Sequence, residues 1–266
     1  MKSNRVLASL QRREPVVGCV LTITDEFVAE LFGRAEFDFV IVDTQHAPIG
    51  VESLQRLIIA LHPTGSTILV RARWNDAAGI NQILDLGAEG VIVPLVNTAE
   101  DARRAVAAAK YPPEGSRSWG PRRAVRLHGG AAEYERAAND NILVLPQIET
   151  EEAVANLDDI LAVPGISGIM VGPADLANSL GYGSDRDNAA VGDVVEKVLS
   201  RCLAHGIPFG HFTNSIELSL RWIARGALIT TCGGDVGYLT DGITRSLEGI
   251  ASLRQDLAER SPTVVA

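Results

Sequence analysis

The segment LVLPQIETEEAVANLDDILAVPGISGIMVGPADLANSL, residues 143–180, decides the fold. Short apolar runs at 142–145 and 166–171 are typical of buried strands, and a polar, helix-like segment lies between them at 151–161. A strand–helix–strand unit of this kind indicates a parallel α/β architecture.

Both apolar runs end abruptly in polar residues. Gln147 and Glu149 follow the first run, and Gly172-Pro173-Ala174-Asp175 follows the second. Neighbouring parallel strands end at the same edge, where α/β proteins collect their functional groups, so we expect Glu149 and Asp175 to share one site. Two hard oxygen ligands with coordination positions left open suit a divalent cation such as Mg²⁺ or Mn²⁺.

Strand-like runs and amphipathic segments alternate along the whole chain. Strands are predicted at 16–20, 37–42, 67–70, 90–93, 142–145, 166–171, 208–212 and 227–231. Helices are predicted at 25–35, 51–61, 77–86, 99–109, 151–161, 191–205, 216–224 and 238–260. About eight βα units without a break in composition predict an α/β fold, a single (β/α)8 TIM barrel that takes in residues 1–266. An open doubly wound sheet is the alternative, and it is less favoured because no GxGxxG turn follows the first strand.

The alternation fails between residues 110 and 141, which are rich in Pro, Gly, Arg and Ser. A loop this long inside a compact domain is either disordered or functional. Its arginines and Trp119 could wall a pocket and attract an anion, or Trp119 could tie down an ordinary surface loop. A short helix is expected near Tyr134.

Composition restricts the class of protein. The 266 residues carry a net charge of −9, with 46% hydrophobic and 21% charged residues, as in an ordinary soluble globular protein. The acidic balance argues against nucleic-acid binding, and no apolar run approaches the roughly 20 residues needed to cross a bilayer. Cys19, Cys202 and Cys232 lack CxxC spacing and the N-terminus lacks a signal-peptide pattern, so we expect free thiols in the cytoplasm.

Each candidate site residue also has a purely structural interpretation. Glu149 and Asp175 could cap helices rather than bind a metal ion. Arg71 ends the third predicted strand, where it could form an ion pair across the barrel mouth or hold the carboxylate or developing oxyanion of a small acid. His46 could be a loop histidine or a proton carrier, and Asp85 could orient it or be an exposed helix residue.

Several short motifs occur together in a fixed order. They are Asp43-Thr44-Gln45-His46-Ala47-Pro48, Val70-Arg71, Trp74-Asn75-Asp76, Leu84-Asp85-Leu86-Gly87, Tyr111-Pro112-Pro113, Gln147-Ile148-Glu149-Thr150 and Gly172-Pro173-Ala174-Asp175-Leu176. In this order they resemble the HpcH/HpaI aldolases, metal-dependent (class II) 2-oxo-acid aldolases of the pyruvate/phosphoenolpyruvate barrel superfamily. The resemblance runs from about Val16 to the last predicted helix.

The resemblance implies a role for each matching residue. Glu149 and Asp175 would bind a divalent metal ion (Mg²⁺, Mn²⁺ or Co²⁺), with no organic cofactor. The 2-oxo acid would lie against the substrate-binding residues Arg71, Trp119, Gln147, Gly172, Pro173, Ala174 and Asp175. Arg71 would stabilise the enolate, and His46 supported by Asp85 would move the proton. No lysine ends a predicted strand, which fits a metal-assisted rather than an imine mechanism.

The expected reaction is reversible aldol addition of a 2-oxo acid, such as pyruvate or hydroxypyruvate, to an aldehyde. Many members of the family have Glu where this chain has Gln45, so the identity of the 2-oxo acid is left open. The alternatives are decarboxylation of an oxaloacetate-like acid, cleavage of an acyl-CoA ester, and a non-catalytic binding barrel. The resemblance also implies a hexamer with the last helix exchanged between subunits, although that helix could equally be an ordinary eighth barrel helix.

Overall fold

Across residues 3–260, which the computed structural model describes, eight parallel strands close into a barrel in sequence order. The strands are β1 (Val16–Leu21), β2 (Phe39–Asp43), β3 (Thr67–Arg71), β4 (Gly90–Val93), β5 (Leu143–Ile148), β6 (Ile169–Val171), β7 (Phe209–His211) and β8 (Ile229–Gly234). β1 also pairs with β8, which completes the ring. The predicted (β/α)8 barrel is confirmed.

Helices surround the barrel and connect its strands. They are α1 (Arg5–Gln11), α2 (Glu26–Arg34), α3 (Val51–Leu61), α4 (Ala77–Asp85), α5 (Ala99–Ala109), α6 (Ala124–Leu127), α7 (Ala131–Asn141), α8 (Glu151–Ala155), α9 (Leu157–Leu161), α10 (Pro173–Ser179), α11 (Ala189–His205), α12 (Ile216–Ile223) and α13 (Asp235–Arg260). None of these helices, over the residues described, combines the length and the apolar character that crossing a membrane requires.

Several helical features were not predicted, and they include the short helices α6 and α10. α1 packs Val6 and Leu10 beneath the barrel, and Asn4 caps it while its amide binds the carbonyls of Glu89 and Asn141. The predicted helix at 151–161 is divided into α8 and α9 at Asn156, whose side-chain amide donates to the carbonyl of Asn97 at 2.9 Å. Amphipathic periodicity is too weak a signal in such short segments to fix a start or a break.

Along each strand, alternate side chains point into the barrel, and the side chains between them pack against the surrounding helices. Ile41 of β2, Leu69 of β3, Leu145 of β5 and Met170 of β6 belong to the inner core, whereas their neighbours pack against the helices. Since side chains alternate along a strand, the residues two positions further on also point inward. These inward-facing residues are Asp43, Arg71, Gln147 and Gly172, and they therefore lie at the mouth of the barrel.

α13 differs from the other long helices because it does not bury an apolar face. Its large apolar side chains are 44–60% exposed along the stripe Leu239, Ile243, Leu247, Ile250, Leu253 and Leu257. Asp235, at its start, is buried and accepts hydrogen bonds from the backbone N–H groups of Thr22 and Ile23. The helix is thus anchored to the barrel through its first turn, where Tyr238 also donates to the carbonyl of Cys232 at 2.9 Å and packs on Phe32.

Candidate active site

Arg71 and Asp43 form a two-point ion pair at the barrel mouth. The strand register places Asp43 directly opposite Arg71, and the guanidinium donates from Nε at 2.9 Å and from Nη2 at 2.5 Å to the two carboxylate oxygens. Thr44 also binds the carbonyl of Arg71 through its hydroxyl group. This bidentate geometry fixes the plane of the guanidinium.

The pair leaves part of the guanidinium for a ligand. Burial alone would raise the pKa of Asp43, but its hydrogen bonds and ion pair with Arg71 outweigh burial and lower that pKa. Asp43 is therefore a carboxylate at neutral pH. Arg71 has a second terminal nitrogen, Nη1, that Asp43 does not use, and its side chain lines the cavity described below.

Glu149 is a fully buried carboxylate at the end of β5. Its Oε1 accepts a hydrogen bond at 2.7 Å from the backbone N–H of Leu95, whose φ of 53° lies in the left-handed region, and its Oε2 accepts one from Gln147. Burial raises the pKa of Glu149 to about 7, and the nearby charge of Asp175 adds to this rise. The hydrogen bonds from Leu95 and Gln147 act in the opposite direction.

Gly172 packs closely against this carboxylate and against the amide of Gln147. A Cβ at that position would lie 2.5 Å from Nε2 of Gln147 and 2.6 Å from Oε2 of Glu149. Its φ of −96° suits any residue, so close approach rather than backbone conformation requires the glycine. The other amide atom of Gln147, Oε1, is buried without a hydrogen-bond partner in the described chain.

Asp175 and His46 stand at the rim. Asp175 lies in the first turn of α10, the helix that begins directly after Gly172. Its Oδ2 is 3.9 Å from Nε2 of His46. That separation is too long for a hydrogen bond but allows one to form with a small movement or through a water molecule. Both side chains are about half exposed, so both can reach a ligand.

This donor set fits a hard divalent cation with open coordination positions. The fit is seen in the buried carboxylate of Glu149, the neighbouring carboxylate of Asp175 and the Oε1 of Gln147, which has no partner in the described chain. Across residues 3–260, no group of three or more His, Cys, Asp or Glu side chains is arranged to enclose a metal ion. The chain therefore offers two carboxylates and leaves room for water or substrate oxygens, as Mg²⁺ and Mn²⁺ sites do.

A cavity of about 670 Å³ opens above these groups. The residues named from the sequence that line it are His46, Arg71, Gln147, Gly172, Pro173, Ala174 and Asp175. His211, the last residue of β7, also lines it. Most of the strand-end residues named from the sequence thus line one cavity, whereas Glu149 is fully buried beside Gln147 and does not line it.

Asp85 and Trp119 do not line this cavity. Asp85 is the last residue of α4 and forms a 2.7 Å ion pair with the buried guanidinium of Arg117, which also donates to the hydroxyl of Tyr134 at 3.1 Å. Trp119 packs on Tyr111 with ring centroids 5.1 Å apart. Within one chain, therefore, Asp85 contacts Arg117 instead of His46, and Trp119 does not line the cavity. The sequence suggested that the loop at 110–141 could wall the pocket, but no residue of this loop lines the cavity of its own chain.

Two groups that shape this site were not assigned a role from the sequence. Asp43 directly follows the predicted strand at 37–42, and its register with Arg71 could have identified it as the partner of that arginine. The contribution of Leu95 is a backbone N–H held by a left-handed residue, and a leucine gives no signal for that conformation.

Comparison with known proteins places the chain among characterised sequences. A model of the HpcH/HpaI aldolase/citrate lyase family matches residues 17–241. The 4-hydroxy-2-oxo-heptane-1,7-dioate aldolase of Salmonella arizonae is 38% identical over 236 residues, which cover 88% of this chain and 89% of that protein. The resemblance drawn from the strand-end motifs is confirmed.

Solved structures agree on the fold over nearly the full chain. An HpcH/HpaI aldolase/citrate lyase family protein from Burkholderia cenocepacia superposes with a TM-score of 0.87 at 26% identity, covering 94% of this chain and 100% of that one. The citrate synthase SbnG superposes with a TM-score of 0.85 at 30% identity, covering 96% of this chain and 100% of that one.

Proposed function

The chain belongs to the HpcH/HpaI aldolase/citrate lyase family and is a carbon–carbon lyase, and we propose that it works as a class II aldolase. Its reaction is the reversible addition of the enolate of a 2-oxo acid, pyruvate or hydroxypyruvate, to an aldehyde. The observation that carries the proposal is the buried carboxylate of Glu149 beside Asp175 at the carboxyl end of the barrel.

Glu149 and Asp175 are the residues that would hold a divalent cation. Bound there, the cation supplies a Lewis acid that polarises the keto oxygen of the 2-oxo acid and stabilises negative charge on it. Burial raises the pKa of Glu149 and so disfavours its ionised form. A cation beside the carboxylate would stabilise the ionised form and lower that pKa.

Arg71 and Gln147 orient the 2-oxo acid. The guanidinium of Arg71 is fixed by Asp43 and presents Nη1 to the cavity, where it binds the substrate carboxylate or the oxyanion that develops during reaction. Gln147 is held by its hydrogen bond to Glu149 and has Oε1 unused in the described chain. Both side chains are preorganised before substrate binds, so little ordering is needed at the reaction step.

His46 carries the proton. In the direction of addition, one proton leaves the carbon next to the keto group and one proton ends on the new hydroxyl oxygen, so one group that accepts and returns a proton balances both. An imidazole at the rim suits this role because its ring nitrogens can both accept and donate a proton. Asp85, which pairs with Arg117 in its own chain, supports His46 in this proposal only from another copy of the chain.

Metal removal tests the proposal directly. The protein is stripped with a chelator and incubated with pyruvate or hydroxypyruvate and a set of aldehydes, then Mg²⁺, Mn²⁺ or Co²⁺ is restored. We expect carbon–carbon bond formation, and deuterium exchange into the methyl group of pyruvate, only with metal. Full activity of the stripped protein, or no metal-dependent bond formation with any pair, would contradict the proposal.

A second candidate reaction on the same barrel generates the enolate differently. The similarity to a protein named citrate synthase favours keeping decarboxylation of an oxaloacetate-type acid, or chemistry on an acyl-CoA, as this candidate. The arginines of the loop at 117–126, which could have attracted the phosphates of CoA, do not line the cavity. Turnover of oxaloacetate without any aldehyde separates this reaction from the aldolase reaction.

The exposed stripe of α13 supports assembly into a homo-oligomer, and we propose a hexamer in which the last helix is exchanged between subunits. In a (β/α)8 barrel the eighth helix packs between the seventh and the first, here α12 and α2. These two helices expose Ile216, Leu220, Phe27 and Leu31, each by 45–67%. Six apolar residues on one helix and an apolar slot on the barrel are complementary surfaces that a second copy can bring together.

A cytoplasmic location is part of the same proposal. Cys19, Cys202 and Cys232 are all free in the described chain, and two of them are buried. Free thiols are typical of a reducing compartment.

A further inference from the structure

The cavity extends well beyond the groups that handle the 2-oxo acid. A three-carbon 2-oxo acid occupies on the order of 200 Å³, at roughly 30 Å³ per water-sized group, so most of the 670 Å³ stays open. The remainder runs down between α11 and α12 and is lined by Gly192, Val195, His211, Leu218 and Trp222. We call this part of the cavity the side recess.

α11 forms one wall of the side recess over two helical turns. Ala189, Gly192 and Val195 all line the cavity, and the three-residue spacing places them on one face of the helix. At about 1.5 Å per residue, this face reaches roughly 9 Å down from the rim. The recess therefore extends past the size of a single methyl group along α11, and it narrows toward Val195, which is 2% exposed.

Gly192 keeps the recess open. A Cβ built at this position meets no atom within 4 Å, so close packing does not require the glycine. Its backbone is helical, so a positive φ does not require it either. Glycine also weakens a helix interior relative to alanine. Its effect in the described structure is to leave space where a larger side chain would project into the cavity.

The recess walls are uncharged. Trp222 and Val195 are buried and apolar, and the imidazole of His211 stacks on Trp222 with centroids 4.9 Å apart and planes 16° apart. Burial lowers the pKa of His211 to about 4, so this ring is neutral at physiological pH. Charged side chains occur only at the rim, where Arg186 and Asp187 lie next to each other with opposite signs.

We propose that the side recess is the subsite for the aldehyde substituent, and that it selects an uncharged, apolar group of the size of a branched alkyl chain or one aromatic ring. The inference rests on the aldolase function proposed above, because continuity with the site of enolate formation makes the recess an acceptor subsite. A charged substituent placed there would lose its hydration without gaining a partner of opposite charge.

The test compares acceptors that differ in size and charge, with saturating pyruvate and the metal-loaded protein. The acceptors are acetaldehyde, benzaldehyde and 4-carboxybenzaldehyde, and the variant Gly192→Leu fills the recess. We expect wild type to prefer benzaldehyde over its carboxylated form by at least about tenfold in kcat/KM. Gly192→Leu should lower the ratio of benzaldehyde to acetaldehyde turnover by a similar factor. Ser200→Leu, on the exposed side of α11, is the matched control and should behave as wild type.

A binding measurement makes the outcome independent of turnover. Benzyl alcohol, which cannot react, is titrated into methyl-labelled protein, and the methyl NMR signals of Val195 and Leu218 should shift in wild type but not in Gly192→Leu. Equal shifts in both proteins, or a preference for 4-carboxybenzaldehyde, would overturn the subsite. If benzyl alcohol binds as expected but no carbon–carbon bond forms with any aldehyde, the recess stands and the aldolase proposal fails. If pyruvate exchanges deuterium but filling the recess changes neither binding nor the turnover ratio, only the subsite fails.

Discussion

Gln147 and Glu149 have no exposed surface at the carboxyl end of the barrel, whereas the apolar side chains of α13 from Leu239 to Leu257 are each about half exposed. The polar residues find hydrogen-bond partners in the same chain: Glu149 binds Leu95 and Gln147. Among the described residues, the apolar side chains of the stripe keep about half of their surface exposed. Elsewhere in globular proteins the opposite distribution is usual.

Under the helix exchange proposed above, the contrast separates what one chain completes from what a second copy would complete. Strand ends carry the polar groups for chemistry, and the closed ring of strands fixes them without help from α13. In that proposal the eighth helix of the outer wall comes from another copy, so burial of α13 depends on association. Four substitutions test this separation, beginning with the largest expected effect.

Glu149→Gln should abolish the activity while leaving the assembly unchanged. The amide keeps the shape of the side chain but removes the negative charge that would hold a cation. Losing several kcal/mol of charge stabilisation corresponds to at least about a thousandfold in kcat/KM. Steady-state kinetics and sedimentation on the same sample measure the two properties.

Glu151→Gln is the matched control for that substitution. It removes the same charge two residues further on, at an exposed position in the first turn of α8. Its kcat/KM should equal that of wild type. Substantial activity in Glu149→Gln would contradict the proposed role of this carboxylate in holding a cation.

Leu247→Asp should dissociate the oligomer and leave the barrel folded. A carboxylate in the middle of the α13 stripe cannot be buried against an apolar surface without a large desolvation cost. Sedimentation should show a smaller particle, and circular dichroism should show the same secondary structure.

Arg245→Asp introduces the same side chain on the opposite face of α13 and is the control for the stripe. It should keep the wild-type sedimentation behaviour. If both variants sediment as wild type does, the stripe does not form the contact between subunits.

Asp43→Asn should lower the free energy of unfolding by about 3–5 kcal/mol, the usual cost of removing one partner from a buried ion pair. The substitution would leave the guanidinium of Arg71 without its negative partner. Solvent cannot replace that partner, because the side chain of Asp43 is 2% exposed and that of Arg71 is 12% exposed. Denaturant unfolding of Asp43→Asn measures the change. Asp193→Asn, on the exposed side of α11, should lie within about 0.5 kcal/mol of wild type.

His211→Leu should make stability less sensitive to acid. The folded pKa of about 4 lies below the usual value of 6.5, so the neutral ring stabilises the fold above pH 6.5, and this contribution is lost as the pH falls toward 4. Wild type should lose on the order of 3 kcal/mol more than His211→Leu over that interval. Parallel stability curves for the two proteins from pH 7 to pH 4 would contradict the assignment of a buried neutral ring.

The strand ends were predictable because each apolar run stops at a polar residue. Arg71, Gln147, Glu149 and Asp175 were identified in this way, and the barrel then brings them to one face. The same rule did not predict the contact of Asp85. Its ion-pair partner Arg117 belongs to a long irregular loop, and the sequence of that loop has no periodicity from which its path could be predicted. A pairing of that kind depends on the path of the loop, and the path depends on tertiary packing around Tyr111 and Tyr134.

The boundaries of elements were predicted less well where hydrogen bonds of single side chains decide them. Asn156 separates α8 from α9 through its bond to Asn97, and Asn4 holds α1 against the bottom of the barrel. Neither asparagine differs in the sequence from an ordinary loop residue. Conversely, α3, α4 and α5 begin at the predicted residues, because each has a strong amphipathic pattern over three turns.

The position of α13 has a consequence for how the protein is handled. Under the helix exchange proposed above, burial of the stripe is a bimolecular event, so folding stability follows mass action. Dilution to low protein concentration should then lower both the melting temperature and the specific activity, and addition of inactive Glu149→Gln subunits should restore them. A kinetic constant measured for this chain has a defined meaning only together with the concentration at which it was measured.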